Sequence, residues 1–158
     1  MPKTEPSLHF DSVQQEAYLA LWRTYDRLRS LEDELFERFD LTPQQYNVLR
    51  LLRSCHPTLV PTSSLVERLV SRAPDVTRMV DRLERRSLIV RSRTSEDRRA
   101  VLLGITAAGL ALLSEMAQPL RLCHKHQLGH LSSSELKMLV QLLRKARGPH
   151  EPPDSPWK

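Results

Sequence analysis

At 158 residues, 40% hydrophobic and 27% charged, the chain is long enough to bury one core, and no run in it approaches the eighteen apolar residues of a membrane span. Only 4 glycines and 5% aromatic residues argue against a sandwich or barrel, and two cysteines, Cys55 and Cys123, are too few for a disulfide framework or zinc finger and read as structural thiols. The formal charge of +5 rests on nineteen arginines and five lysines, a bias that suits bidentate contacts to phosphate and guanine and that a GC-rich genome also produces.

The opening MPKTEPSLHFDS carries one lysine and no apolar signal core, so a cytoplasmic protein with a flexible stretch at residues 1–10 is expected. From about Asp11 to Phe39 there is no Gly or Pro, and Ala17, Leu21, Tyr25, Leu28, Leu31, Leu35 and Phe39 recur at helical steps, which predicts one long amphipathic helix. A second helix opens at LTPQQYNVLRLL, with Thr42 as N-cap, Pro43 in the first turn and Gln45 closing a capping box. HPTLVP interrupts the helical pattern. TSSLVERLV predicts a third, short helix capped by Thr62 or Ser64, with Val66, Leu69 and Val70 inward.

A three-residue turn leads to a fourth helix expected from Pro74, where Ala73 is a poor N-cap. In it Val76, Met79, Val80 and Leu83 form an apolar stripe, leaving Thr77, Arg78, Asp81, Arg82 and Arg85 on the other sides. Short helix, turn and arginine-faced helix make a helix-turn-helix pattern, although two amphipathic helices with solvated arginines are common. SLIVRSR and RAVLLGIT then read as the strands of a hairpin with the charged tip TSEDR between them, that is, a wing whose arginines reach an adjacent minor groove. Thr62 to Thr106 holds ten arginines and six acidic residues, so most of the net charge lies in this segment.

Thr106 caps a second long helix, bent near Pro119, and Ser132 with Glu135 opens a last one lined by Leu136, Leu139, Val140 and Leu143. The proline-rich residues 148–158 are expected to be flexible. The first helix and the last two bear apolar faces, including Leu21, Leu28, Leu35, Leu139 and Leu143, that a single chain leaves uncovered, which points to a homodimer.

The order of these elements and the segments LTPQQYNVLRLL, VTRMVDRLERRSLIVR and SEDRRAVLLGITAAG resemble the MarR family of bacterial winged-helix regulators over residues 11 to 147. The last segment matches the family's D-x-R wing signature through Asp97 and Arg99. The resemblance implies a homodimer on palindromic operators, most often a repressor. It places Thr77, Arg78 and Arg82 along the recognition helix and Arg98 and Arg99 at the wing, with Arg99 in the minor groove and Asp97 orienting the wing through an ion pair. Arg85, Arg86, Arg91 and Arg93 are expected to be solvated or to meet phosphates. Ser87 stands where the family usually has glycine, so it either takes a strained conformation or alters the helix exit.

Family inducers are often aromatic acids or oxidants. Peroxide-sensing members use a cysteine in the first helix, where this chain has Tyr18. Trp22, Tyr25, Tyr46 and Arg50 form a candidate pocket for an aromatic anion, against an ordinary core-and-surface reading. Cys123, His126 and His130 would share a face only if their helix passed Gly129, so no metal is assigned.

The expected fold is mainly α with a small β-hairpin: a winged helix-turn-helix (42–106) between dimerisation helices (11–39 and 107–147). The expected function is a ligand-responsive DNA-binding repressor without catalytic activity or cofactor, whose partners are double-stranded DNA, a second copy and a small aromatic or anionic effector, with no membrane. A metal-responsive regulator and a helical adaptor that has lost operator recognition are the alternatives.

Overall fold

The computed structural model describes residues 9–71, 75–93 and 100–158. The helices among them are α1 (Val13–Arg38), α2 (Pro43–Cys55), α3 (Thr62–Arg68), α4 (Val76–Arg85), α5 (Ala107–Leu128) and α6 (Ser133–Arg147); the strands are β1 (Val60–Pro61), β2 (Ile89–Arg93) and β3 (Val101–Ile105). The fold is thus mainly helical with a small antiparallel sheet, as expected, and the sheet gains a third strand in the order β1-β3-β2. That strand lies in HPTLVP: Val60 pairs with Leu103 and Pro61 with Leu102. Proline is tolerated there because β1 is an edge that needs no second ladder donor.

The caps explain where the helices begin and end. Ser12 starts α1 by accepting the Gln15 N–H at 3.1 Å. At its far end Asp40 turns left-handed (φ 49°), donating its N–H to Glu37 O at 3.0 Å while Leu41 donates to Phe36 O at 3.1 Å. This is a Schellman motif with aspartate in the glycine position, which a short polar side chain tolerates. Thr42 and Gln45 form the expected capping box of α2, at 3.2 Å and 2.9 Å.

α2 is the centre of the core. Its Val48, Leu49 and Leu52 meet Leu65 of α3, Val80 and Leu83 of α4, Leu103 of β3, and Leu113 and Met116 of α5 in one buried cluster. α3 differs from expectation. Neither Thr62 nor Ser64 caps it; Pro61 precedes its first residue, and Thr62 Oγ1 donates instead to Val101 O at 3.0 Å, tying the helix to β3. Leu65 and Leu69 face inward, while Val66 and Val70 face solvent, because the helix ends at Arg68 before a longer stripe can form.

Thr106 caps α5 and Pro119 lies inside that helix. α5 packs along α1, where Gln127 Nε2 donates to Leu28 O at 2.8 Å and the Cys123 thiol to Leu31 O at 3.5 Å. Ser132 and Glu135 cap α6 reciprocally, and the hydrogen bond from Ser132 holds the Glu135 carboxyl below its ordinary range. α6 buries none of its residues fully. Leu35, expected on an uncovered face, is buried in the chain's own core, whereas Leu21, Trp22 and Tyr25 are exposed and Leu28, Leu139 and Leu143 are half-buried.

Residues 148–158 also differ from the expected flexible stretch. A 3-10 turn at Gly148–His150 carries the chain back, so that Arg147 donates to Trp157 O at 2.9 Å and 3.2 Å, lies 5.8 Å from the centre of the Trp157 ring and pairs with Glu151 at 3.2 Å. Four prolines restrict this segment in advance, so ordering it costs less entropy. Residues 1–8, expected to be flexible, lie outside the described residues.

Met116 is fully buried where α5 meets the core. Met116→Ala should therefore lower stability by about 2–5 kcal/mol, read as a lower urea midpoint at unchanged m-value.

Candidate nucleic-acid interface

α4 buries Met79, Val80 and Leu83 and half-buries Val76, which leaves Thr77, Arg78, Arg82 and Arg85 exposed on its outer side. Its start is not the expected one. Asp75 is the N-cap, its carboxylate accepting the Arg78 N–H at 2.9 Å. This removes the difficulty of Ala73, which lies with Pro74 outside the described residues. Asp75 Oδ2 also stands 3.4 Å from Arg78 Nε, with the two side chains 49% and 71% exposed, so solvent screens the pair and Arg78 is only lightly tethered.

The exit of α4 is a second Schellman motif. Ser87 donates to Glu84 O at 2.8 Å and Leu88 to Leu83 O at 3.0 Å, with Ser87 at φ 56°. Serine in the glycine position thus keeps the left-handed exit and accepts the strain. The neighbouring helix holds it there. Thr106 Oγ1 donates to Ser87 O at 2.7 Å while accepting the Gly109 N–H at 3.0 Å, and Thr106 N–H donates to Leu88 O at 3.1 Å. Gly109 completes the joint, since a Cβ there would stand 2.4 Å from Leu88 O.

Two arginines expected to be solvated or phosphate-bound have internal partners. Arg91 on β2 pairs with Asp81 of α4 and lies 3.1 Å from Glu84, with its Nε–H off the hydrogen-bonding direction, so the second contact is Coulombic. Arg86, at the C-cap of α4, donates to the carbonyls of Phe39 and Asp40 at the end of α1. Sequence reasoning misses Arg86 because its partners lie forty-six and forty-seven residues away, and Arg91 because its pairing depends on how β2 folds back on the preceding helix. The acids Asp81 and Glu84 on an otherwise basic helix are the only sequence signal. Arg93 is exposed at the end of β2.

β2 and β3 pair from Ile89↔Ile105 to Arg93↔Val101, forming the stem of a wing beside α4. The wing residues Asp97, Arg98 and Arg99 lie outside the described residues. Of the aromatic-anion set, none lines the open cleft of about 830 Å³ described below. Trp22 and Tyr25 are exposed on α1, Tyr46 packs against Phe36 with tilted rings 5.4 Å apart, and Arg50 donates to Asn47 at 2.9 Å. An open cleft of about 830 Å³ lies elsewhere, between α1, α2 and α4, lined by Arg29, Asp33, Glu37, Arg82, Arg85 and Arg86 among others. α5 ends at Leu128, so His130 does not share its face with Cys123 and His126, and no group of three metal-ligating side chains forms among the described residues. Burial, and then the charge of Glu32, raises the Cys123 thiol above its ordinary value, which disfavours the reactive thiolate.

An arginine-bearing helix held outward by its apolar stripe, a helix-turn before it and a β-stem beside it define a winged helix-turn-helix DNA-binding protein. The MarR family model matches residues 41–101. A MarR transcription factor from Planctomyces limnophilus is 52% identical in sequence, with a TM-score of 0.69, over 85% of this chain and 98% of its own. An HTH-type transcriptional regulator of Bacillus cereus is 30% identical over 88% of this chain and 92% of its own. BpsR of Bordetella bronchiseptica, whose DNA binding is regulated by 6-hydroxynicotinic acid, is 28% identical with a TM-score of 0.74, over 83% of this chain and 98% of its own. The chain belongs to the MarR family. It is a DNA-binding transcriptional regulator, and its relatives are regulators rather than enzymes. No described helix is long and apolar enough to cross a membrane.

Asp75 serves as both cap and counter-charge, and two substitutions separate the roles. Asp75→Ala should cost about 1 kcal/mol of stability in denaturant unfolding, whereas Asp75→Asn should keep the cap and, by freeing Arg78, tighten binding to random duplex DNA in low salt. Weaker binding by Asp75→Asn would show that the pair orients Arg78 instead. Ser87→Gly should raise stability by about 0.5–1 kcal/mol, since relief of the left-handed strain exceeds the added entropy of the unfolded chain.

Proposed function

We propose that the protein acts as a homodimeric, ligand-responsive repressor that binds palindromic operators. The observation that carries this reading is the outward face of α4, where Thr77, Arg78 and Arg82 stand free of the core on a helix whose opposite side is buried. Two such helices in a two-fold dimer enter successive major grooves about one helical turn, roughly 34–36 Å, apart. Support for the dimer comes from the apolar side chains that one copy leaves exposed on the flanking segments, among them Trp22, Tyr25, Leu122, Met138 and Leu142. Residues 11–39 and 107–147 are its arms and 42–106 its reading head.

In this reading Arg78 and Arg82 contact base edges or flanking phosphates, and Arg98 and Arg99 act from the wing. Arg99 enters the minor groove and Asp97 braces the wing by an ion pair, as the family resemblance implies. For the effector, the cleft between α1, α2 and α4 sets four arginines, of which Arg29 pairs with Asp33 and Arg86 is held by carbonyls, against Asp33, Glu37 and Asp40; Arg82 and Arg85 are the ones that suit an anion, the chemistry of the aromatic acid that regulates BpsR. We take this cleft as the candidate site in preference to Trp22, Tyr25, Tyr46 and Arg50, because Trp22 and Tyr25 stand exposed on α1 and none of the four lines it.

Selection of bound fragments from the host genome tests the reading. A shared two-fold motif is expected; affinity within about tenfold of that for random DNA favours the adaptor alternative. Light scattering should find a dimer at micromolar concentration, and a stable folded monomer would end the two-fold argument. Arg78→Ala should cost about 1–3 kcal/mol on the operator and relax preference at one base position per half-site.

A further inference from the structure

The fold engages the Arg86 guanidinium within the chain. Both terminal nitrogens point at the end of α1: Nη1 donates to Asp40 O and Nη2 lies 3.3 Å from Phe39 O. These carbonyls are those of the α1 C-cap and of the left-handed residue after it, beside the negative end of the helix dipole, which favours a cation. The Asp40 carboxylate adds little, at 3.8 Å and 93% exposed. Arg86 is itself the C-cap of α4, one residue before the left-handed Ser87, so it stands at a backbone position that the Schellman motif and Thr106 already fix.

We infer that Arg86 is a positioning residue that sets the half-site spacing this protein reads, by locking the end of α1 to the end of α4. The inference rests on the dimeric reading above. In a dimer joined through α1, the separation of the two recognition helices depends on the angle between each α1 and its own α4. α1 packs on α2 and α5, and α4 packs on α2 and β2, so the Arg86 tie is a direct connection between the arm and the reading helix. Adding one base pair between half-sites moves them apart by about 3.4 Å and rotates them by about 35°. A locked dimer cannot follow that displacement, whereas an unlocked one can.

The test uses the full-length protein and a random duplex library, from which the wild type selects a consensus. Synthetic duplexes of that consensus are then made with the half-sites one base pair closer, unchanged, and one base pair farther apart. Wild type should lose about tenfold or more in affinity on both altered duplexes. Arg86→Met, which keeps the length but removes the donors, should bind all three within about threefold, with half-site bases and salt dependence unchanged. Arg86→Lys should fall between them, and should Arg86→Met not fold it is read alone by the same criterion. Asp40→Gly, which keeps the carbonyls, should match wild type.

Unchanged spacing dependence in the Arg86 variants overturns the inference. So does an equal loss on all three duplexes with the salt slope reduced by about one, the signature of a phosphate contact. Relaxed spacing in Asp40→Gly would place the tie in the carboxylate and overturn the carbonyl assignment. If the wild type selects no two-fold motif, the dimeric reading falls and the inference with it, and that failure shows in the wild-type arm alone.

Discussion

The recognition helix has ten residues, fewer than a helix needs to persist alone in water, so its existence depends on burying one side. Met79, Val80 and Leu83 supply that side against a core centred on α2. Each contributes about 1.5–3 kcal/mol of apolar burial before the entropy of ordering is subtracted. The same burial sets the rotation of the helix about its axis. With 3.6 residues per turn, placing those three inside leaves Thr77, Arg78 and Arg82 outside, so the surface proposed to face DNA is a consequence of core packing and not a separate construction.

Charge is sorted by what each guanidinium can reach. Asp81 and Glu84 lie on the side of α4 that meets β2 and take Arg91, leaving the outer arginines without strong acidic partners there. Arg86 is occupied by carbonyls of α1. An excess of four positive charges over residues 62–106 is therefore not a uniform basic coat. Part of it is used inside the fold, joining β2 and the end of α1 to the helix proposed to face DNA.

Local rules made much of this legible in the sequence. The Thr42–Gln45 and Ser132–Glu135 boxes, the Thr106 cap and the apolar stripe of α4 are set by neighbours within four residues, and the structure shows each of them. The misses have tertiary causes. Thr62 reads as a cap but spends its hydroxyl on Val101, thirty-nine residues away. Val60–Pro61 is too short to show a strand period and exists only because β3 offers an edge. Arg86 and Arg91 look like any exposed arginine until the chain brings Phe39 and Asp81 beside them. Asp75 is the cap next to the stripe, whereas Pro74 in the sequence marks an earlier start. The strain at Ser87 was foreseeable as one of two outcomes, and the Thr106 bond to its carbonyl explains which one holds.

α1 connects these levels because its two halves live in different surroundings. Its C-terminal part, with Leu35 and Phe36, is core, while Tyr18, Trp22 and Tyr25 toward its start are exposed. A helix of twenty-six residues is a rod of about 39 Å, so displacement at one end is carried to the other with little loss. At the far end the rod stops in a left-handed aspartate whose carbonyl is held by the cap of the recognition helix. On the proposal that Arg86 ties the arm to the reading helix, whatever covers the exposed half of α1 acts on the position of α4 through the Arg86 side chain, without touching the residues proposed to face DNA.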